Sequence, residues 1–253
     1  MESAAKIKET LQAASTEKLP EFIAEYETDP RSGVQKLVAS ARKKLDALEK
    51  EKQRIENLKK YEREYAQYSY ICGIDEVGRG PLAGPVVAGA VILPKDCHIL
   101  YINDSKQLSE KKREELFEEI TEKAIAYNIF SVDEKRIDEI NILNATYEAM
   151  NGAVNGLSTA PDFVLIDGNR ISGMEIPHET VVKGDSKSIS IAAASILAKV
   201  SRDRFICQMA EKYPEYGFEK HKGYGTKAHN EAILKYGPCP IHRRTFLRKL
   251  LGE

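Results

Sequence analysis

The chain has 253 residues, of which 42% are hydrophobic and 30% charged, and its formal net charge is −1. That size and apolar content support a real core, larger than one average domain and not clearly two. No apolar run approaches the roughly 20 residues that cross a bilayer, Met1 to Lys6 lack the apolar centre of a secretory signal, and Cys72, Cys97, Cys207 and Cys239 form no Cys-x-x-Cys pair; zinc-ribbon, disulfide-framework and membrane classes are excluded, and a reducing cytoplasm is expected.

The near-neutral total conceals an asymmetry. Residues 1–68 carry net +1, residues 69–182 net −9 and residues 183–253 net +7. An acidic middle beside a basic C-terminal third suits metal-binding carboxylates next to a phosphate-binding surface, or simply solvated helix faces such as Glu110 to Glu122.

Residues 1–68 are rich in Lys and Glu and show no strand pattern, so they are expected to form a helical extension ahead of a domain over 69–253. Asp29-Pro30 reads as a cap with proline at the first helical position. From there to about Tyr65, Val34, Leu37, Val38, Ala41, Leu45, Leu48, Ile55 and Leu58 trace one long amphipathic helix, preceded by shorter ones. Its lysines and arginines are interleaved with glutamates, which favours a solvated face over a nucleic-acid arm.

From residue 69 the pattern is α/β. Strands are predicted near 69–75, 84–93 and 127–133, with a helix after the capping residue Ser109. A helix from Asn141 to Leu157 and a buried strand Phe163-Val164-Leu165-Ile166 follow, the strand stopping at Asp167-Gly168-Asn169. A short strand at Thr180 to Val182 leads through Lys183-Gly184-Asp185-Ser186 into an Ala-rich helix from about Ile189 to Lys212. The remainder holds the loop Lys220 to Thr226 and two more helices.

Four acids stand at element ends: Asp75, Glu76, Asp167 and Asp185. Burying an ionised carboxylate is costly unless it is paired or metal-bound, and neither cap nor turn chemistry needs both Asp75 and Glu76 at the end of a core strand. Asp185 could instead cap the helix that follows, and Asp167 could be a turn aspartate. Magnesium and manganese take oxygen ligands, and two such ions suit in-line phosphoryl displacement. Gly78-Arg79-Gly80 lets backbone approach a nucleic-acid groove while Arg79 holds a phosphate. Tyr224, between Gly223 and Gly225 in a basic setting, suits stacking on a sugar or base, or belongs to a core. Ser186, Lys187, Lys199, Arg202 and Arg204 are candidate phosphate contacts, and His221 and His229 read as surface residues.

Asp75 through Pro85, the Asp104-Ser105-Lys106 turn, Ile166 to Asn169, Gly184 through Arg204 and Gly223-Tyr224-Gly225-Thr226 together resemble the bacterial ribonuclease HII family. The resemblance covers about 69–253. It implies the ribonuclease H fold: a mixed five-stranded sheet flanked by helices, with a C-terminal helical part. It implies that Asp75, Glu76, Asp167 and Asp185 are catalytic acids binding two Mg2+ or Mn2+ ions, and that Gly78, Arg79, Gly80 and Tyr224, with Ser186 and Lys187 beside them, bind substrate. The expected activity is hydrolysis of the RNA strand of RNA–DNA hybrids and incision 5′ to single ribonucleotides in duplex DNA, leaving 3′-hydroxyl and 5′-phosphate ends. The related ribonuclease HIII lacks the glycine-arginine-glycine segment; a HIII-like nuclease without junction preference, or a non-catalytic nucleic-acid-binding scaffold, is the alternative. The expected partners are hybrid and ribonucleotide-containing duplex, with a replication or repair protein as a further one, and the chain is expected to be a monomer without membrane contact.

Overall fold

The computed structural model describes residues 2–168 and 171–253, so Asn169 of the strand-end motif lies outside it. The chain divides into two compact units, 1–56 and 57–253. In the first, helices α1 (Ala4–Ala13) and α2 (Leu19–Tyr26) and most of α3 (Ser32–Leu58) bury Ile7, Leu11, Phe22, Tyr26, Val34, Val38 and Ala41 in one cluster. Their spacing of three and four residues puts them on one face of each helix. Asp29-Pro30 does not open α3. The Asp29 carboxylate accepts from the Arg31 backbone N–H and guanidinium, both at 2.9 Å, which makes a turn and delays the helix to Ser32.

The long helix also stops earlier than its apolar stripe suggested, at Leu58, and a short α4 (Lys60–Glu64) follows. Residues 57–68 lie within the second compact unit. Tyr65 and Tyr68 stack on Phe163, with ring centroids 4.1 and 4.6 Å away, and Glu62 accepts from Ser188 Oγ at 2.5 Å and from the Ser190 N–H at 3.0 Å. Aromatic packing across distant sequence outweighs the helical composition of the segment.

The second unit is built on β1 (Ile71–Val77), β2 (Val86–Ile92), β3 (Ala126–Val132), β4 (Phe163–Asp167) and β5 (His178–Val181), ordered β3-β2-β1-β4-β5. β1 is antiparallel to β2 and parallel to β4, so the sheet is the mixed five-stranded one expected. Alternation assigns its faces. Cys72, Ile74, Ala88, Ala90, Val164 and Ile166 pack with Ala145, Ala149, Met150 and Ala153 of α6 (Glu134–Asn155). The opposite face meets α7 (Ile189–Lys212), at Gly73 and Gly89. A Cβ at Gly73 would sit 2.2 Å from the Ser190 carbonyl carbon, and one at Gly89 would sit 2.5 Å from the Ala194 oxygen. Glycine in the strands and alanine in the helix together permit this backbone approach.

Helix α5 (Glu110–Lys123) begins at its Ser109 cap as expected. Helix α6 starts earlier than Asn141, at a cap formed by Asp133. Asn141 (φ 67°, ψ 164°) breaks it internally and re-caps the second half by accepting from the Leu143 and Asn144 N–H groups. The helices α8 (Phe218–His221), α9 (Lys227–Tyr236) and α10 (Arg244–Leu251) share a second core around Phe218, Ile233, Ile241 and Leu247. Among the described residues no helix is long and apolar enough to cross a membrane.

Candidate active site

Strand pairing decides where the acids go. The parallel register ends with Ile74 opposite Ile166, so Asp75 and Asp167 stand one step on, at the ends of adjacent strands and on the α7 face. Asp75 is only 6% exposed, and its Oδ1 accepts from the Glu76 N–H at 2.7 Å. Burial first, then the Glu76 and Asp167 carboxylates, push its pKa well above the usual range, while Ser195 on α7 opposes that by hydrogen bonding. Burial also raises Glu76; Arg79, paired with it at 3.3 Å, pulls the other way, and Asp167 adds to the rise.

Asp167 Oδ1 accepts from the Gly184 N–H at 2.6 Å, which ties the end of β4 to the single helical turn Gly184–Ser186 that carries Asp185. Asp185 is buried and does not cap α7. The cap is Ser188, whose hydroxyl accepts from the Ile191 N–H at 3.2 Å. Burial raises the Asp185 pKa, followed by the charges of Asp104 and Asp167. The four acids therefore share one electrostatic field although they come from three separate segments.

The turn at Asp104 to Lys106 belongs to the same field. Burial alone would lower the Lys106 pKa, but Asp104, Asp75, Asp185 and Asp167 together raise it. Ser105 Oγ lies 2.9 Å from Ser195 Oγ, fastening this turn to α7 beneath Asp75. Composition gave these residues no role; only the motif Asp104-Ser105-Lys106 hinted at one. Among the described residues, no three His, Cys, Asp or Glu side chains already stand at metal-holding spacing. The donor set nonetheless suits a hard divalent cation: carboxylate oxygens in mutual repulsion, with Arg79 and Lys106 the cationic side chains that act on them.

The glycine segment and the tyrosine loop are joined. Leu82 N–H donates to the Gly223 carbonyl at 2.9 Å, and a Cβ at Gly80 would lie 3.7 Å from Tyr224 Cε1. Tyr224 is 42% exposed, so it is not a core residue; Arg79 and Gly80 are exposed beside it. Ser186 and Lys187 are exposed next to buried Asp185.

Two arginines hold this loop from below. Arg202 donates to the carbonyls of Pro85, Ala83 and Lys222, each at 3.0 Å. Arg243 donates to those of Arg79 at 2.9 Å, Gly78 at 2.5 Å and Gly84 at 2.9 and 2.8 Å. Both are fully buried, so Arg202 is not a phosphate contact as its charge suggested. Burial, with Arg202 nearby, lowers Arg243 to about 9. Lys199 pairs with Asp203 at 2.8 Å and Arg204 with Glu114, so neither is an uncommitted cation. His229, read as a surface residue, is completely buried.

Comparison with known proteins is consistent along the chain. The ribonuclease HII family model matches residues 72–249, and the ribonuclease HII N-terminal domain model matches residues 3–66. Ribonuclease HII of Clostridioides difficile (strain 630) is 55% identical over 251 residues, covering 98% of both chains. This chain belongs to the ribonuclease HII family. It is accordingly a nuclease of the ribonuclease H class, with a ribonuclease H-like fold. The solved ribonuclease H2 from Pyrococcus horikoshii OT3 superposes with a TM-score of 0.61 at 30% identity, covering 72% of this chain and 97% of that one. The structure of the PCNA:RNase HII complex from Archaeoglobus fulgidus matches with a TM-score of 0.57 at 26% identity, covering 70% of this chain and 94% of that one.

Proposed function

We propose that this ribonuclease HII family member incises duplex DNA on the 5′ side of embedded ribonucleotides and cuts the RNA strand of RNA–DNA hybrids, leaving 3′-hydroxyl and 5′-phosphate ends. The observation that carries this reading is the joining of two loops distant in sequence, Gly78–Gly80 and Gly223–Gly225, beside the converging acids. Asp75, Glu76, Asp167 and Asp185 hold two magnesium or manganese ions in this reading, with Lys106 beside them. Those ions, when bound, supply activation of the attacking water and neutralise charge on the scissile phosphate.

The protein's own groups do the selecting. Ribose differs from deoxyribose only by its 2′-hydroxyl, and a backbone group placed to bond that hydroxyl is left desolvated and unpaired when it is missing. The Gly78–Gly80 backbone is the natural partner, held immobile by Arg243. Tyr224 stacks against a sugar or base at the junction, and Arg79 leaves Glu76 for a phosphate as substrate binds. Ser186 and Lys187 hold the flanking backbone. The protein acts as a monomer in the cytoplasm, and a replication or repair protein is its expected partner, as the archaeal PCNA complex suggests.

The test is a substrate comparison with magnesium or manganese present. Incision 5′ to a single ribonucleotide, with none on the all-DNA duplex, is the expected result. Equal cutting of both rejects the assignment. Cutting of long hybrid without junction preference favours the ribonuclease HIII-like alternative.

A further inference from the structure

The Tyr224 loop is gripped from behind by imidazoles, and their partners fix each tautomer. His221 Nε2 lies 2.9 Å from the Tyr216 carbonyl, which only an N–H can satisfy, and its Nδ1 accepts from the Gly223 N–H at 3.3 Å. His229 Nδ1 lies 3.0 Å from the Tyr224 carbonyl, so its proton is on Nδ1. That leaves His229 Nε2 as an acceptor, 3.0 Å from His242 Nε2. The Cys239 N–H, which can only donate, points into His242 Nδ1 at 2.9 Å, closer than the Cys239 carbonyl at 3.3 Å, so His242 carries its proton on Nε2. One directed chain results: Cys239 N–H to His242, His242 to His229, His229 to the Tyr224 carbonyl.

The chain works only with both rings neutral. A second proton on His229 would have to sit on Nε2, facing the His242 Nε2–H. A second proton on His242 would sit on Nδ1, facing the Cys239 N–H at 2.9 Å and reaching the Cys239 carbonyl only at 3.3 Å. The groups around the pair are His221, whose ring stacks on His229 with centroids 4.3 Å apart, the edge of Tyr216, the Cys239 thiol 3.1 Å from His242, and the Arg244 guanidinium. The Tyr224 carbonyl, and the Cys239 carbonyl 3.3 Å from His242 Nδ1, favour an imidazolium, and burial outweighs both. Burial, with this surrounding, holds both His229 and His242 down to about 4.

We propose that His229 is a positioning residue for Tyr224: in the Nδ1–H tautomer imposed by His242, it fixes the Tyr224 backbone and hence the angle of the ring over the Gly78–Gly80 loop, setting discrimination at the ribo–deoxy junction. This rests on the junction-reading role given to Tyr224 above. His229 touches no substrate; it acts through the carbonyl it holds.

Two measurements test it on the full-length chain. Long-range nitrogen-15 NMR of the imidazoles should show Nδ1–H at His229 and Nε2–H at His242, unchanged from about pH 8 to about pH 5. An Nε2–H tautomer at His229 overturns the proposal without any variant having to fold. The second measurement is the ratio of cleavage rates on single-ribonucleotide duplex and all-RNA hybrid. His229→Leu should lower that ratio about tenfold, whereas His229→Asn, whose amide can still donate to the Tyr224 carbonyl, should hold it within about threefold. A role in folding alone would depress both substrates together and leave the ratio intact, which sinks the inference. Tyr224→Ala separates the two readings. A ratio lost in Tyr224→Ala but kept in His229→Leu removes only this inference, and a ratio kept in both removes the role of Tyr224 as well.

Discussion

Asp75 illustrates how a single side chain can cost stability and, on the function proposed above, still be required. Its carboxyl is buried against two other acids, so the ionised form is disfavoured unless a cation joins it. Asp75→Asn should therefore abolish turnover by at least about a hundredfold, as expected for a ligand of reacting ions. The metal-free variant should melt no lower than wild type at neutral pH, and wild type alone should gain appreciably in melting temperature on adding magnesium. Equal magnesium stabilisation of both proteins would contradict the placement of Asp75 as a ligand. The buried histidines give the opposite kind of cost. Unfolded imidazoles titrate near 6.5, whereas folded His229 and His242 sit at about 4, so the unfolded state binds more protons between those values. Their contribution is fully present above that window and is lost as pH falls through it. Urea unfolding should show wild type losing about 1–2 kcal/mol more than His242→Gln between about pH 7 and about pH 5.

Two structural elements depend on contacts that no local propensity encodes. The glycine-rich loop after β1 has no regular hydrogen-bonded structure of its own, and Arg202 and Arg243 supply its missing donors from below. Lysine cannot reproduce a guanidinium that reaches three carbonyls at once. Arg243→Lys should cost about 3 kcal/mol, seen as a lower melting temperature, and should weaken hybrid binding in a gel-shift titration. Unchanged binding would show that the loop holds itself. The contact between β2 and α7 is the other case. At Gly89 a Cβ would meet the backbone oxygen of Ala194 at 2.5 Å and the nitrogen of Ala198 at 3.2 Å. Because backbone cannot yield as a flexible side chain does, Gly89→Val should destabilise by about 3 kcal/mol or more, measured by denaturant unfolding. It would also shift α7, on which Ser195 and the Ser188 cap are mounted.

The two compact units bear on how the chain can be cut. Residues 57–68 supply Tyr65 and Tyr68 to Phe163, and Glu62 to the first turn of α7. Deleting residues 1–56 should leave a folded nuclease that binds hybrid more weakly. Deleting residues 1–68 should expose Phe163, leave the start of α7 without its carboxylate partner and yield an unstable or aggregated product. Size-exclusion elution and melting temperature of the two truncations check this. Identical behaviour would mean the tyrosine segment is dispensable.

Much of the molecule was readable from residue order because it rests on short-range physics. The strand runs around Ile74, Val91 and Val164, the Ser109 cap, the Ala-rich α7 and the acids closing β1 and β4 are all signals carried by neighbours a few positions apart. What stayed hidden depends on partners far along the chain. Arg202 looked like a surface cation and His229 like a solvent-facing imidazole until folding wrapped carbonyls and a second histidine around them. Asp104 and Lys106 joined the acids only because the turn carrying them is fastened to α7. The compact units part after Glu56 although the family's N-terminal domain runs to residue 66, since rings that read as the tail of a helix found Phe163. Periodicity tells which face of an element is apolar; it does not tell which distant group will satisfy a buried donor or charge, and the loops of the candidate site are held by such satisfactions.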